Sequence, residues 1–203
     1  MLYTTFSVPI LHGELNIDAS ELRDGLVIEN GACVQHDYIH PETFRVLEKY
    51  PGIKLALLNK FYELYQEAFA QKIDHIITTS WVAYHKPGQV PGKHFHTNCT
   101  WAGIWYFDEY PRDQTGALEI SNPLHDVVFN NLLSQRQIDI LVHSFAFQPA
   151  HGAVLFFPAQ LKHQVLPSTQ ERYSLAFNLI EDFSNCEISC DSSFKPHWLV
   201  NDD

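Results

Sequence analysis

Ala153-Val154-Leu155-Phe156-Phe157-Pro158-Ala159-Gln160-Leu161-Lys162-His163 is the stretch on which the fold turns. A short, unbroken apolar run ending at a proline reads as a buried strand, and His163 follows in the loop beyond it. Upstream, His94-Phe95-His96 lies between a turn-rich lead-in, Gly88-Gln89-Val90-Pro91-Gly92-Lys93, and the aromatic, β-favouring run at 100–107. Both histidines therefore stand near a strand entrance. Residues two apart on a strand share a face, so His94 and His96 aim at one point while Phe95 turns away into apolar packing. The strand ending at Pro158 is expected alongside, with His163 as a third donor. Arg172 and Ser174 come next, two apart and so on one face, at the head of a further strand at 173–180.

The set discriminates where its parts do not. With 12 histidines in 203 residues, a His-x-His pair arises by chance about 0.7 times. Three imidazoles followed in order by an arginine and a serine read together as a metal site with a carboxylate-binding group beside it. A guanidinium suits that task because it is a planar, permanent cation that pairs with two carboxylate oxygens at once. His85, just before the Pro87-Gly88 turn, is expected in solvent, as is His151 before Gly152.

In these residues the chain resembles the 2-oxoglutarate and Fe(II)-dependent oxygenases. Within them it is similar to small bacterial and phage proteins with His-x-His-x-Asn, a later Phe-Pro-x-x-Leu-x-His and a closing Arg-x-Ser. The resemblance spans residues 81–180 and includes Trp81, Gly103, Trp105-Tyr106, Gly116 with Leu118, Pro149 with Gly152, and Phe177-Asn178. It implies a mainly β (α+β) fold, a double-stranded β-helix or jelly-roll core flanked by N-terminal helices, with metal at its open end. It implies Fe(II) on His94, His96 and His163, with 2-oxoglutarate as cosubstrate and O2 as oxidant. Arg172 and Ser174 would hold the distal carboxylate of 2-oxoglutarate, with Asn98 and Tyr106 as further contacts. Alternation lets only one of Trp105 and Tyr106 face the cavity. The implied reaction is hydroxylation of a substrate with release of succinate and CO2.

One position departs from the usual pattern of the superfamily, in which two histidines and a carboxylate form a facial triad with three positions open. His96 stands where that pattern has the aspartate of His-x-Asp. A neutral imidazole there leaves the centre one unit more positive, which favours a dianionic cosubstrate and raises the reduction potential. A carboxylate from Asp108 or Glu119, or a set in which His94 stands behind His96, are the other arrangements the sequence leaves open. Two other classes compete. A cupin shares Gly88 and five residues before His94-x-His96, but Thr100 and Trp101 occupy the region where its glutamate belongs, and its second motif fails at 152–163. A cupin has no use for the Arg172-x-Ser174 clamp, and a noncatalytic jelly-roll module that retains a metal for structure is expected to bind metal without turning over a keto acid.

Composition agrees with one enzyme-sized domain. At 203 residues and 45% hydrophobic content the chain can bury a large core. A formal net charge of −11 argues against nucleic acid or an anionic membrane as partner, leaving a small molecule or peptide as substrate and a monomer or homodimer as the assembly. Cys33, Cys99, Cys186 and Cys190 are too few and scattered for a disulfide framework, and residues 1–22 lack lysine, arginine and any long apolar stretch. Both point to the cytoplasm. Cys186, Cys190 and His197 make only a faint zinc pattern without a fourth ligand.

The chain is expected to fold as a single domain over 1–203. Residues 1–75 supply an N-terminal strand and supporting helices, 76–183 the metal-binding β core, and 184–203 a tail. A short helix is expected at 42–49 and an amphipathic one at 53–71, where Leu57, Leu58, Phe61, Leu64, Tyr65 and Ala68 recur at three- and four-residue spacing. Strands are expected at 76–84, 100–107, 116–120, 144–148, 152–157 and 173–180. Helices before strands favour a helix-flanked β core. The stretch 123–142 reads equally as a lid over the site or a surface excursion.

Overall fold

The computed structural model describes residues 8–26, 28–29, 32–33, 45–110, 116–123 and 144–182. In chain order these give β1 (Leu11–Glu14), α1 (Ser20–Asp24), β2 (Ile28–Glu29), β3 (Ala32–Cys33), a 3-10 turn at Val46–Lys49 and α2 (Pro51–Phe69). Then follow β4 (His75–His85), β5 (Trp101–Trp105), β6 (Leu118–Ser121), β7 (Ser144–Phe147), β8 (Ala153–Pro158), β9 (His163–Val165) and β10 (Arg172–Glu181). A five-stranded sheet has the order β1-β8-β5-β10-β4, a three-stranded sheet the order β7-β6-β9, and β2 pairs with β3. Every pairing between these strands is antiparallel.

Alternation along the strands sorts side chains into two layers. On β10, Leu175, Phe177 and Leu179 join Val82, Trp101, Trp105, Val154 and Phe156 in a core on the outer face of the large sheet. Helix α2 seals that face with Ile53, Leu57 and Phe61, four residues apart and all buried. Phe61 is the centre of this layer, its ring 4.7 Å from His75, 5.1 Å from Phe156 and 5.6 Å from Trp101. Pro51 opens α2, where its missing N–H costs nothing, and Ala70 closes it in the left-handed region at φ 52°. Gly103 has no room for a side chain, because a Cβ there would run into the Phe177 ring opposite it in the β5–β10 register.

The other strand faces meet the small sheet. Ala102, Leu155 and Phe157 from one sheet pack with Leu118, Ile120 and Val165 from the other, which makes the jelly-roll sandwich of a double-stranded β-helix. Helix α2 and strands β4, β5, β6, β7, β8 and β10 all fall within two residues of their expected bounds. The helix expected at 42–49 is instead the 3-10 turn Val46–Lys49 where described, with 42–44 outside the described residues. His163 opens a strand rather than lying in a loop, because β9 completes the small sheet against β6. The lid stretch from 124 onward and the tail with Cys186, Cys190 and His197 lie outside the described residues. No helix among the described residues is long and apolar enough to cross a membrane.

Candidate metal centre

His94 and His163 face each other across an isolated antiparallel bridge, with backbone hydrogen bonds of 3.0 and 2.8 Å in the two directions. The His96 amide donates to the Ala159 carbonyl at 2.8 Å, tying the same segment to the turn after β8. These contacts gather the three rings. One ligand atom from each lies within 4.8 Å of the others, within reach of a single ion. His163 is 4% exposed, His96 half-buried and His94 open to solvent.

Hydrogen bonding settles which nitrogen faces the shared point. Nδ1 of His94 donates to the Gly92 carbonyl at 2.9 Å, Nδ1 of His163 to the Leu161 carbonyl at 2.8 Å, and Nδ1 of His96 to Oδ1 of Asn178 at 2.6 Å. Each acceptor requires a proton on Nδ1, so each Nε2 carries a lone pair, the form that binds metal. Burial favours the neutral form of His163 and His96. It pushes His163 down to about 4, aided by His94 and His96 and opposed by the Leu161 carbonyl. Burial likewise lowers His96, against the pull of Asn178.

Arg172 defines the other end of the site. It is 1% exposed, and its Nη1 donates to the Gly116 carbonyl at 2.6 Å, while Nε and Nη2 are buried with no hydrogen-bond partner among the described residues. Gly116 supplies that acceptor by lying so close to the Leu166 backbone that a Cβ would collide with it. The guanidinium also sits 5.7 Å from the Tyr106 ring centroid. Among the described residues the hydroxyls of Tyr106 and neighbouring Tyr110 are buried without hydrogen-bond partners, and burial raises both phenols while Arg172 opposes it. A buried cation with unmatched donors is costly, and the arrangement calls for an anion. Arg172, Ser174, His94, His96 and His163 all line one cavity of about 90 Å³ between the sheets.

Other expected residues fall differently. Asn98 is exposed, with a left-handed backbone at φ 59° that asparagine tolerates, and it is not among the residues lining the cavity. Phe95 is 50% exposed instead of packed, since the bridge at His94 gives its segment no layer to lean on. His85 is not in solvent: it is 8% exposed and lines the cavity, because β4 continues to it in register with Arg172. Its place was readable only from that register. Tyr106 points between the sheets while Trp105 faces the helix side, donating from Nε1 to the Leu15 carbonyl at 3.1 Å. Asp108 pairs with Arg23 at 3.4 Å, and Glu119 accepts from Gln164 at 2.6 Å and pairs with Lys93 at 3.5 Å. Neither carboxylate joins the histidine group, so the candidate donor set among the described residues is three imidazoles. Cys99 is buried and its thiol pushed up to about 11, a protonated and unreactive form.

A double-stranded β-helix whose cavity joins three imidazole edges to a buried arginine has the build of a metal-dependent site for an anionic ligand. Residues 79–178 match the family described as "Putative 2OG-Fe(II) oxygenase", so over that stretch the chain is similar to the 2OG-Fe(II) oxygenases. Among solved structures, EvdMO1 aligns at a TM-score of 0.50 with 14% identity, over 85% of this chain and 47% of that one. A Pseudomonas putida prolyl-4-hydroxylase aligns at 0.49 with 14% identity, over 87% and 89%. A 2OG-Fe(II) oxygenase family oxidoreductase from Burkholderia pseudomallei aligns at 0.46 with 14% identity, over 62% of this chain and 55% of that one, so this chain spans about half of its length. At such identities the likeness is one of fold. No curated protein matches the sequence.

Proposed function

We propose that this protein is a working Fe(II)- and 2-oxoglutarate-dependent dioxygenase that hydroxylates a small molecule or peptide. The observation that carries the reading is Arg172, a buried guanidinium with two donor nitrogens unmatched among the described residues, in the same cavity as three metal-competent imidazoles. A purely structural metal site gives no reason to keep such a charge buried and short of partners.

In this reading His94, His96 and His163 hold Fe(II) through Nε2, and Nδ1–H bonds to Gly92, Asn178 and Leu161 keep the rings aimed. Arg172 offers Nε and Nη2 to the distal carboxylate of 2-oxoglutarate, with the Ser174 hydroxyl as a further donor on the same strand face. Tyr106 backs the guanidinium with its ring face, while Asn98, outside the cavity lining, is left without a part. Trp81 lies tilted against His96 and Phe157 edge-on to His163, with ring centroids 5.6 and 4.9 Å apart, and both back the inner side of the rings with apolar surface. When bound, iron and 2-oxoglutarate supply oxidative decarboxylation to succinate and CO2 coupled to attack on a C–H bond; the protein's part is position and dryness. The same reading takes 1–203 as one oxygenase domain with its metal-binding core at 76–183, acting in the cytoplasm as a monomer or homodimer, apart from nucleic acid and membranes.

The test is direct. Anaerobic protein with Fe(II) and 2-oxoglutarate should show the visible charge-transfer band of the chelate, and admitting O2 should yield succinate. Arg172→Ala should lose the band at low cosubstrate while retaining iron, and His163→Ala should lose the iron. Folded, iron-loaded protein with neither band nor succinate would sink the proposal.

A further inference from the structure

The three imidazoles are not anchored alike. His94 and His163 each donate Nδ1–H to the backbone carbonyl two residues earlier, a local contact that any sequence supplies. His96 is held by a side chain 82 residues away, Asn178 on β10, at 2.6 Å. Asn178 is itself fixed: Nδ2 donates to Oγ1 of Thr79 at 2.8 Å, its cross-strand partner on β4, at the point where the β10–β4 register shifts. Nδ2 is held by Thr79 and Oδ1 faces His96, and with that acceptor at Nδ1 the imidazole takes the tautomer with Nε2 free.

We propose that Asn178 is a positioning residue that sets both the aim and the charge of the metal centre through His96, an inference that rests on the three-histidine metal site proposed above. The amide is a neutral acceptor. It orients His96 without adding negative charge, so three neutral imidazoles leave the ion its full double charge toward an anionic cosubstrate. A carboxylate at the same place would accept the same proton while lending anionic character to the ring, restoring through the second atom shell the charge that the ligand set lacks. Thr79 belongs to the device because its hydroxyl anchors the other end of the amide, at 2.8 Å from Nδ2.

The experiment uses Co(II) as the probe, titrated into metal-free full-length protein and read by its visible absorption, so that no turnover is needed. Fe-loaded samples are then poised electrochemically for the Fe(III)/Fe(II) midpoint. Asn178→Leu should weaken Co(II) by about tenfold to a hundredfold. Asn178→Asp should retain or tighten binding and move the midpoint to lower potential, a change that loss of packing alone does not produce. Thr79→Val should give a smaller loss of affinity than Asn178→Leu. Folded Asn178→Leu protein that binds Co(II) as the wild type does overturns the inference, and so does Asn178→Asp with an unmoved midpoint. If the leucine variant does not fold, the aspartate and valine variants carry the test. Wild-type protein that binds no Co(II) overturns the metal centre itself, a result distinct from intact binding that ignores Asn178.

Discussion

The two faces of the five-stranded sheet are made by the same strands and could hardly differ more. On the side under α2, β10 presents Leu175, Phe177 and Leu179 to Trp101, Phe156 and Phe61, and the layer is apolar and full. On the side toward the small sheet, β10 presents Arg172, Ser174 and Ala176 to a cavity whose wall includes Ala83 and Ala102. Small side chains leave volume there, and the large polar one is left short of partners. One face thus holds the sheet in shape so that the other can carry groups that do not stabilise it, as expected where function is built on a rigid scaffold.

The strongest way to break this contrast is to remove the centre of the full face. Phe61 is fully buried among five aromatic rings, so Phe61→Ala should cost about 3–5 kcal/mol of stability, read by chemical or thermal denaturation. Co(II) affinity of the folded fraction should not change. A variant that keeps its stability but loses metal binding would show that the two faces are not divided in this way.

Much of this division was readable from the chain. The 3.6-residue spacing of Leu57, Phe61, Leu64 and Tyr65 marks α2, and period-two alternation marks the face that Arg172 and Ser174 share. Ligand chemistry made His94, His96 and His163 legible because donor type and strand spacing are local properties. What stayed hidden depends on register between distant strands. His85 reads as a residue before a turn until β4 is laid against β10, which sets it beside Arg172. Asn178 reads as a core amide until β10, Thr79 and the His94–His96 segment are brought together. Phe95 reads as core because alternation says nothing of whether a second layer exists to cover it.

A second prediction concerns protons. His163, on the cavity side, is held down to about 4 in the fold by burial, against about 6.5 in an unfolded chain. The unfolded state therefore binds the extra proton first, so its contribution to stability is whole above about pH 6.5 and is lost as pH falls toward 4. His96 and His75, both lowered chiefly by burial, act in the same direction. For metal-free protein the His163 share is on the order of 2–3 kcal/mol. Denaturation midpoints at a series of pH values should fall across that window, and His163→Gln should flatten the fall. An unchanged slope in that variant would place the acid sensitivity elsewhere.

The smallest expected effect separates the two faces most sharply, because it has the sign that ordinary core mutations lack. Replacing a buried residue usually destabilises, yet Arg172 is a buried charge with one matched N–H group, to Gly116, and two atoms without partners. Methionine fills similar space without a charge to desolvate, and exchanges of this kind are often neutral or stabilising. The lost bond to the Gly116 carbonyl works the other way, so Arg172→Met should raise the stability of metal-free, cosubstrate-free protein by only about 1 kcal/mol. With Fe(II) and excess 2-oxoglutarate under anaerobic conditions the order should reverse. Wild type then gains the free energy of a ligand that binds only the fold, and the variant gains little of it. Thermal denaturation with and without cosubstrate tests both halves. A variant less stable than wild type in both conditions would mean that Arg172 is already satisfied in the empty protein, and the cavity face would then be a second structural core.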